Sequence, residues 1–224
     1  MFIPMLDGCD IEGKDITADA LLTQRKLAEY VVERKAHYHF IVKNNQLTMV
    51  EEIGLVFEHR GAPDYIEPSS NDHGRIESRK IWCSSALNDH LNFPHVGQVF
   101  LIEREFIIKK TGKVSQDIAL GVTSRSAQQA TPQQLLKINR GHWAIESVHN
   151  IIDWNFDEDR SRIRKGFGPE NVTRLRRFAV GVLMSFKKPT QTIAEMMRIL
   201  CFRVRLVFDY LRMTNNSIPA RFRE

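Results

Sequence analysis

Residues 14–46 follow the pattern strand, helix, strand, and this order limits the possible fold more than any other feature of the sequence. Residues 14–20 alternate in polarity and contain β-branched side chains, which predicts a strand that ends near Asp19. Residues 21–36 carry apolar side chains at helical spacing, and residues 38–43 form a short apolar run. A helical crossover between two strands predicts that they lie parallel in one sheet, in a right-handed β-α-β unit.

Polar residues lie directly after both of these strands. Asp19 ends the first strand, and Lys43 with Asn44 ends the second. Because ligands of parallel sheets bind beyond the carboxyl ends of the strands, this edge is a candidate site. Each residue also has a structural interpretation, since Asp19 is suited to cap the following helix and Lys43 to form a strand-end turn. From spacing alone the capping role is the commoner one for Asp19, and the two interpretations of Lys43 are equally good.

The middle of the chain is predicted to be rich in β-structure. Residues 46–55 are consistent with a short helix, and residues 58–72, which contain glycine and proline, with a loop. Trp82 lies in the first strand-like run after this loop. A tryptophan in a strand is more often part of a core than a surface residue on which a displaced nucleic-acid base could stack. Four strand-like runs, separated by residues typical of turns, cover residues 75–82, 98–103, 105–109 and 117–122.

A second helical region begins at Thr131 and presents a row of acids and imidazoles. Thr131 followed by Pro132 is a strong helix start, and we expect a bend near Gly141. Two interpretations of the row stay open at this point: a solvated helix face, or ligands for a metal ion. Zinc is conceivable, but no HExxH or cysteine motif supports it. Positions three and four apart share a helix face, so one stripe contains Asn139, His142, Glu146, His149 and Asp153.

A cluster of cations follows the stripe at once. It consists of Arg160, Arg162, Arg164 and Lys165, in a chain whose formal net charge is +5. Clustered cations are typical of proteins that bind a polyanion, although a solvated surface explains any single cluster as well. Acids that can hold a metal, next to cations that can hold phosphate, favour chemistry on nucleic acid.

The composition points to a soluble protein of a reducing compartment. Hydrophobic residues make up 42% and charged residues 26% of the chain, which is ordinary for a globular protein. No apolar run approaches membrane-spanning length, and the amino terminus lacks the features of a signal peptide. The 3 cysteines are far apart and form no recognisable framework. We therefore expect a cytoplasmic protein.

Five blocks of residues, in the same order, resemble the H-repeat-associated insertion-sequence transposases of bacteria. The resemblance covers about residues 7–185 and is far more specific than one short motif. The blocks are Ile16-Thr-Ala-Asp-Ala20 with Thr23-Gln24; Tyr38 with Lys43-Asn-Asn-Gln46; His73-Gly-Arg-Ile-Glu-Ser-Arg79; Arg140-x-His-Trp-x-Ile-Glu146 with His149 and Asp153; and Phe156, Glu158-Asp159 and Ser161-Arg-Ile-Arg164.

The resemblance implies an α/β fold with an RNase H-like core of the retroviral integrase type. Four segments are expected on this basis. Residues 1–57 would form a core that is partial at its amino terminus, and residues 58–128 a β-rich insertion. Residues 129–186 would supply the last catalytic helix, the basic segment and a following helix, and residues 187–224 a helical extension.

The resemblance also assigns site residues. Asp19 matches the second acid of the family's DDE triad and Glu146 the third. The first acid lies in a DGK-type motif on an earlier strand, and Asp7-Gly8 does not match it, so we expect the chain to begin inside the catalytic domain. In the wider insertion-sequence signature Y-x2-R-x3-E-x6-K, the tyrosine, arginine and lysine positions hold Asn139, His142 and Asp153 here. His142, Asp153 and His149 are therefore treated as accessory residues.

The implied function is metal-dependent DNA cleavage and strand transfer in transposition. The triad acids would hold Mg²⁺ or Mn²⁺, since oxygen ligands suit both ions. Double-stranded DNA, as transposon ends and target, would be the partner, with no membrane involved and a homodimer possible on DNA. The protein would be nucleoid-associated when it is bound to DNA. The DNA-binding residues would be Lys43, Arg160, Arg162, Arg164 and Lys165. The alternative is a catalytically inactive DNA-binding remnant of such a transposase.

Overall fold

The computed structural model describes residues 2–72 and 75–215, with the backbone alone described at positions 72, 144 and 146–148. His73 and Gly74, which belong to a block quoted above, and the side chain of Glu146 thus lie outside the described residues. The chain forms two compact units, Met1–Trp143 and Ala144–Glu224. The division into four segments expected from the sequence stays a prediction.

The first unit contains six strands and four helices among its described residues. In chain order they are α1 (Ile3–Asp7), β1 (Asp15–Ala18), α2 (Arg25–Glu33), β2 (His37–Val42), α3 (Leu47–Phe57), β3 (Tyr65–Asp72), β4 (Arg75–Ser84), β5 (Gln98–Ile108), β6 (Val114–Thr123) and α4 (Pro132–His142).

The predicted β-α-β unit is present. Strands β1 and β2 pair in parallel, with Asp15 opposite His37 and Ala18 opposite Phe40. The connecting helix α2 is shorter than the sequence suggested, because Ala20–Leu22 forms a separate 3₁₀ turn before it. The mixed α/β class is therefore confirmed.

The β-strands of the middle segment extend the same sheet. Its strand order is β1-β2-β6-β5-β4-β3, and every pair after β1-β2 is antiparallel. The loop predicted at residues 58–72 is wrong, because Tyr65–Asp72 is the edge strand β3. Pro68 hid this strand in the sequence; proline is tolerated at sheet edges and bulges, and the β3-β4 register shifts between Glu67 and Ser70.

Alternating residues of the sheet face two different cores. On one face, Val99 and Leu101 pack with apolar residues of α2 and α3. On the other face, Phe100 and Ile102 pack with Leu135 and Leu136 of α4. The helices thus cover the sheet from both sides, and α4 is held against the face opposite α2.

The second unit is helical in its described part. Its helices are α5 (Ala144–Phe156), α6 (Gly168–Phe186), α7 (Ile193–Phe202) and α8 (Val204–Tyr210). A small core forms around Leu183, Ile193 and Met196. The helix expected to bend near Gly141 is instead two helices, separated at Trp143. Across residues 2–72 and 75–215, no helix combines the length and apolarity needed to cross a membrane.

Candidate active site around Asp19

Asp19 lies at the carboxyl end of β1, directly after the buried Ala18. Its backbone carbonyl accepts a hydrogen bond from the amide of Leu22 at 2.8 Å, so it occupies the N-cap position of the 3₁₀ turn. Its carboxylate, however, makes no capping hydrogen bond, and 69% of the side chain is exposed. The capping interpretation thus explains the backbone position of Asp19 but not its carboxylate, which is available to bind a ligand.

Hydrogen bonds join the turn that contains Asp19 to the end of β2 and the turn after it. The hydroxyl of the fully buried Thr23 donates to the carbonyl of Ile41 at 2.7 Å. The amide of Asn45 donates to the carbonyl of Ala20 at 2.9 Å, and the side-chain amide of Gln46 donates to the carbonyl of Thr23. Because these bonds join the ends of two adjacent parallel strands, the backbone at Asp19 is fixed although its side chain is exposed.

Asp19 and Lys43 border the same open cavity, which has a volume of about 580 Å³. Lys43 is exposed and lies directly after β2, as the sequence predicted. Apolar side chains of Leu21, Val50 and Leu120 form part of the wall. The cavity therefore places one carboxylate and one ammonium group at the edge of the sheet where parallel strands end.

His142, in the last turn of α4, contacts Asp19 directly. Its Nε2 atom lies 3.3 Å from Oδ1 of Asp19, and its Nδ1 atom lies 3.1 Å from the hydroxyl oxygen of Thr17 in β1. The side chain of His142 is 23% exposed. Two predicted site residues that are far apart in the sequence are thus neighbours. Thr17 is a third member of the group; it lies in one of the blocks quoted above, but the sequence assigned it no role.

A second histidine, His39 of β2, is buried beside this group. Neither ring nitrogen has a hydrogen-bond partner of good geometry among the described residues. Burial lowers the pKa of His39 to about 4, an effect that the nearby Asn139 side chain and Asp15 oppose and His142 reinforces. His39 is therefore neutral around pH 7, and Asn139 of the predicted stripe lies next to it.

The end of α4 is also tied to the strands of the middle segment. Arg140 pairs with Glu67 of β3, with 2.6 Å between Nη1 and Oε1. The guanidinium of Arg104 in β5 lies over the ring of Trp143, 5.2 Å from its centroid. Neither Glu67 nor Arg104 could be found from the sequence, because no local pattern indicates which strand residues face a helix. These contacts hold the turn of α4 that carries His142.

Trp82 has the core role that the sequence favoured. It is buried, its indole N–H donates to the carbonyl of Gly61 at 3.0 Å, and Arg60 lies over its ring. A base cannot stack on a ring already covered in this way. Trp82 is a structural residue of the first unit.

The remaining predicted residues lie in the second unit. Glu146 and His149 belong to α5, where His149 is exposed. Asp153, also in α5, lines a cavity of about 320 Å³ together with Trp154, Asp157, Asp159 and Arg160.

The basic segment lies between α5 and α6 and is exposed. Arg160 pairs loosely with Asp157, with 3.6 Å between Nε and Oδ1. Within the part of the chain that the structure describes, Arg162, Arg164 and Lys165 form no ion pair. Three unneutralised cations in one exposed segment are well suited to contact a polyanion.

A divalent ion at this site would find one suitable ligand in the first unit. The exposed carboxylate of Asp19 supplies hard oxygen atoms of the kind that Mg²⁺ and Mn²⁺ prefer. Among the described side chains, no three histidines, cysteines or acids converge as a metal-binding group. Asp19 thus fits as one ligand of such an ion.

An exposed acid that ends a parallel strand, together with a basic segment, is consistent with a protein that acts on nucleic acid. Residues 1–178 match the family described as Transposase DDE domain, and the chain belongs to that family. The resemblance to H-repeat-associated transposases is thereby confirmed, since one curated relative carries that description.

Three curated relatives match most of this chain. The "Putative transposase YncI" of Escherichia coli O157:H7 is 26% identical over 193 residues, which is 82% of this chain and 49% of that protein. The "H repeat-associated putative transposase YhhI" of Escherichia coli K12 is 25% identical over 194 residues, 82% of this chain and 50% of that protein. The "Putative protein YbfL" of the same strain gives the same identity and coverage. The chain thus spans about half the length of the curated relatives it matches.

Proposed function

We propose that this chain carries out metal-dependent cleavage and transfer of DNA strands as part of a bacterial insertion-sequence transposase with an RNase H-like core. The observation that carries the proposal is the exposed carboxylate of Asp19. It ends a parallel strand, lines an open cavity and makes no capping hydrogen bond, in a chain of the Transposase DDE domain family.

The residues have separate roles in this proposal. Asp19 and Glu146 are the acids that hold the metal ion, Mg²⁺ or Mn²⁺. A bound divalent ion would supply charge stabilisation and lower the pKa of a bound water or hydroxyl nucleophile. Lys43, across the cavity from Asp19, contacts a DNA phosphate near the reacting bond. The assignment of Glu146 rests on the sequence blocks around it, which lie within the part of the chain that matches the family.

The basic segment supplies affinity for double-stranded DNA. Arg160, Arg162, Arg164 and Lys165 are exposed, and phosphate contacts of such side chains bind DNA without reading its sequence. Transposon ends and target DNA are the substrates on this proposal, and a homodimer would bring two ends together. His149 and Asp153 stay accessory residues of α5.

The test is a nicking assay on the purified chain with supercoiled DNA and Mg²⁺. We expect nicking that requires the metal ion and that falls at least about a hundredfold in both Asp19→Asn and Glu146→Gln, because each removes a charge that holds the metal. Asp89→Asn is the matched control, since Asp89 is an acid of the first unit that does not line the cavity. Nicking that survives both active-site substitutions would overturn the proposal.

A DNA-binding protein without catalytic activity is the second candidate. It is favoured by the exposed cations Arg162, Arg164 and Lys165, which need no metal centre to bind a polyanion. Nicking and DNA-binding measurements on the same purified chain distinguish the two functions. Salt-sensitive DNA binding without nicking at any Mg²⁺ or Mn²⁺ concentration would support this candidate over the enzyme.

A further inference from the structure

We propose that His142 is a positioning residue: its ring, oriented by the hydroxyl of Thr17, holds the carboxylate of Asp19 through an Nε2–H hydrogen bond. This inference deepens the proposed function and rests on it for its consequence, since Asp19 matters most if it holds a metal ion. The geometry itself stands on three side chains of the first unit, whatever the activity of the chain.

Both ring nitrogens of His142 have a partner. Nε2 lies 3.3 Å from Oδ1 of Asp19, and Nδ1 lies 3.1 Å from Oγ1 of Thr17. Thr17 and Asp19 are two residues apart in β1 and the turn that follows it. The ring therefore spans the end of the strand, in contact with the predicted metal ligand on one side and a strand hydroxyl on the other.

The positions of the protons in these two contacts follow from which groups can donate a hydrogen bond and which can only accept one. An ionised carboxylate only accepts hydrogen bonds, so Nε2 of His142 must carry the proton that is shared with Asp19. In a neutral imidazole the other nitrogen is then an acceptor, and the hydroxyl of Thr17 must donate to Nδ1. Threonine serves this purpose because its hydroxyl is both donor and acceptor. The arrangement selects one tautomer of His142.

The position of the ring is set by α4 and not by Asp19. Arg140 and Trp143 flank His142 in the sequence. Arg140 forms an ion pair with Glu67 of the sheet, and the guanidinium of Arg104, also in the sheet, lies over the ring of Trp143. The side chain of Asp19, in contrast, is 69% exposed and makes no capping hydrogen bond. The contact consequently orders Asp19 against a fixed partner before any ligand arrives.

A neutral hydrogen-bond donor is better suited than a cation to orient a carboxylate that binds a metal ion. It orients the carboxylate without cancelling its negative charge, and the contact is to Oδ1 alone. Partners that hydrogen-bond to metal ligands commonly change metal affinity 10- to 100-fold when they are removed. We accordingly expect His142 to affect metal affinity through Asp19, with no bond of its own to the ion.

The first experiment is independent of metal and of activity. Nitrogen-15 NMR of histidine side chains in the metal-free full chain, at about pH 8 where free histidine is neutral, should show His142 protonated at Nε2 with a hydrogen-bonded Nδ1. Thr17→Val should move the Nδ1 resonance to the position of an unbonded acceptor, and Thr17→Ser should not. An Nδ1-protonated ring, or an Nδ1 resonance indifferent to Thr17→Val, would overturn the proposal.

The second experiment measures Mn²⁺ affinity of the full chain by calorimetry. We expect His142→Leu to bind Mn²⁺ about tenfold more weakly and His142→Gln, whose amide keeps a donor near the Nε2 position, to recover most of the loss. The thermal unfolding midpoint of each variant shows that both are folded. Equal affinity of His142→Leu and the wild type, or equal loss in both variants, would contradict a positioning role.

Electron spin echo spectroscopy of the Mn²⁺-loaded, histidine-labelled chain separates positioning from direct ligation. Absence of nitrogen coupling from His142 agrees with the proposal, and a strong coupling shows that His142 is itself a ligand and refutes it. If Asp19→Asn leaves Mn²⁺ affinity and nicking unchanged, the proposed function fails, while the NMR result still decides whether His142 holds Asp19.

Discussion

The imidazole ring of His39 lies stacked on the phenyl ring of Phe100, with ring centroids 4.3 Å apart and planes inclined by 9°. This pair joins β2 to β5 on the sheet face that α4 covers, and both side chains are fully buried. Asn139 and His142 of α4 lie near His39. The stability of the candidate site therefore depends on His39 staying neutral and on Phe100 keeping its place.

Acid should destabilise the first unit through His39. Its pKa is about 4 in the folded chain and 6.5 in the unfolded chain, so the unfolded chain binds more protons between these values. Stability is then fully present above about pH 6.5 and falls as the pH drops towards 4, by roughly 3 kcal/mol in total. Urea unfolding followed by tryptophan fluorescence, to which the buried Trp82 contributes, measures this loss.

His39→Gln should remove most of that pH dependence, whatever its effect at pH 7. Some dependence will stay, because burial and then Arg125 also lower the pKa of His37. His90→Gln is the control, since His90 is exposed, and it should keep the wild-type slope. A His39→Gln profile parallel to that of the wild type would show that His39 does not titrate as a buried group.

Gly121 of β6 should not tolerate a methyl group. A Cβ at this position would lie 2.1 Å from Cζ of Phe100 and 2.6 Å from the carbonyl oxygen of Phe40. Because backbone and a packed ring must both move, Gly121→Ala should reduce the free energy of unfolding by about 1–3 kcal/mol. Urea unfolding followed by tryptophan fluorescence measures the change.

Gly54→Ala is the matched control for this substitution. Gly54 lies inside α3, and a methyl group added there would meet nothing within 4 Å. Alanine at this position should stabilise the chain by up to about 1 kcal/mol through helix propensity. Opposite signs for the two glycine variants are the expected result; similar small effects would mean that Phe100 is loosely packed.

The start of α4 shows which features local sequence can predict. Thr131 caps the helix as expected, with its hydroxyl accepting from the amide of Gln134 at 3.3 Å and its own amide donating to Oε1 of Gln134 at 2.8 Å. The parallel pair β1-β2 and the position of Asp19 were equally predictable. All three depend on residues within one turn or one crossover.

Features that depend on distant residues were not predictable. Thr17 and His142 are 125 positions apart, and no periodicity indicates that they meet. The strand at Tyr65–Asp72 was missed because its proline is tolerated only by virtue of its place at a sheet edge.

Thr131→Ala should weaken the attachment of α4. The substitution removes the hydroxyl that accepts from the amide of Gln134 and should cost about 1 kcal/mol. Urea unfolding followed by tryptophan fluorescence measures the change. Thr131→Ser keeps the hydroxyl and serves as the control, with little or no loss expected because serine caps helices at least as well as threonine. Equal losses in the two variants would attribute the effect to the methyl group of Thr131 and not to the cap.

The basic segment should determine the salt dependence of DNA binding. Each phosphate contact to duplex DNA adds about 0.9 to the slope of log affinity against log salt concentration. Replacing Arg164 and Lys165 by glutamine should therefore lower the magnitude of the slope by about 2, measured by fluorescence anisotropy with a non-specific duplex. Lys14→Gln with Lys35→Gln is the matched control, because both lysines are exposed and pair with acids, Asp10 and Glu12. That control should leave the slope unchanged; an equal decrease in both double variants would show that net charge, and not this segment, governs DNA binding.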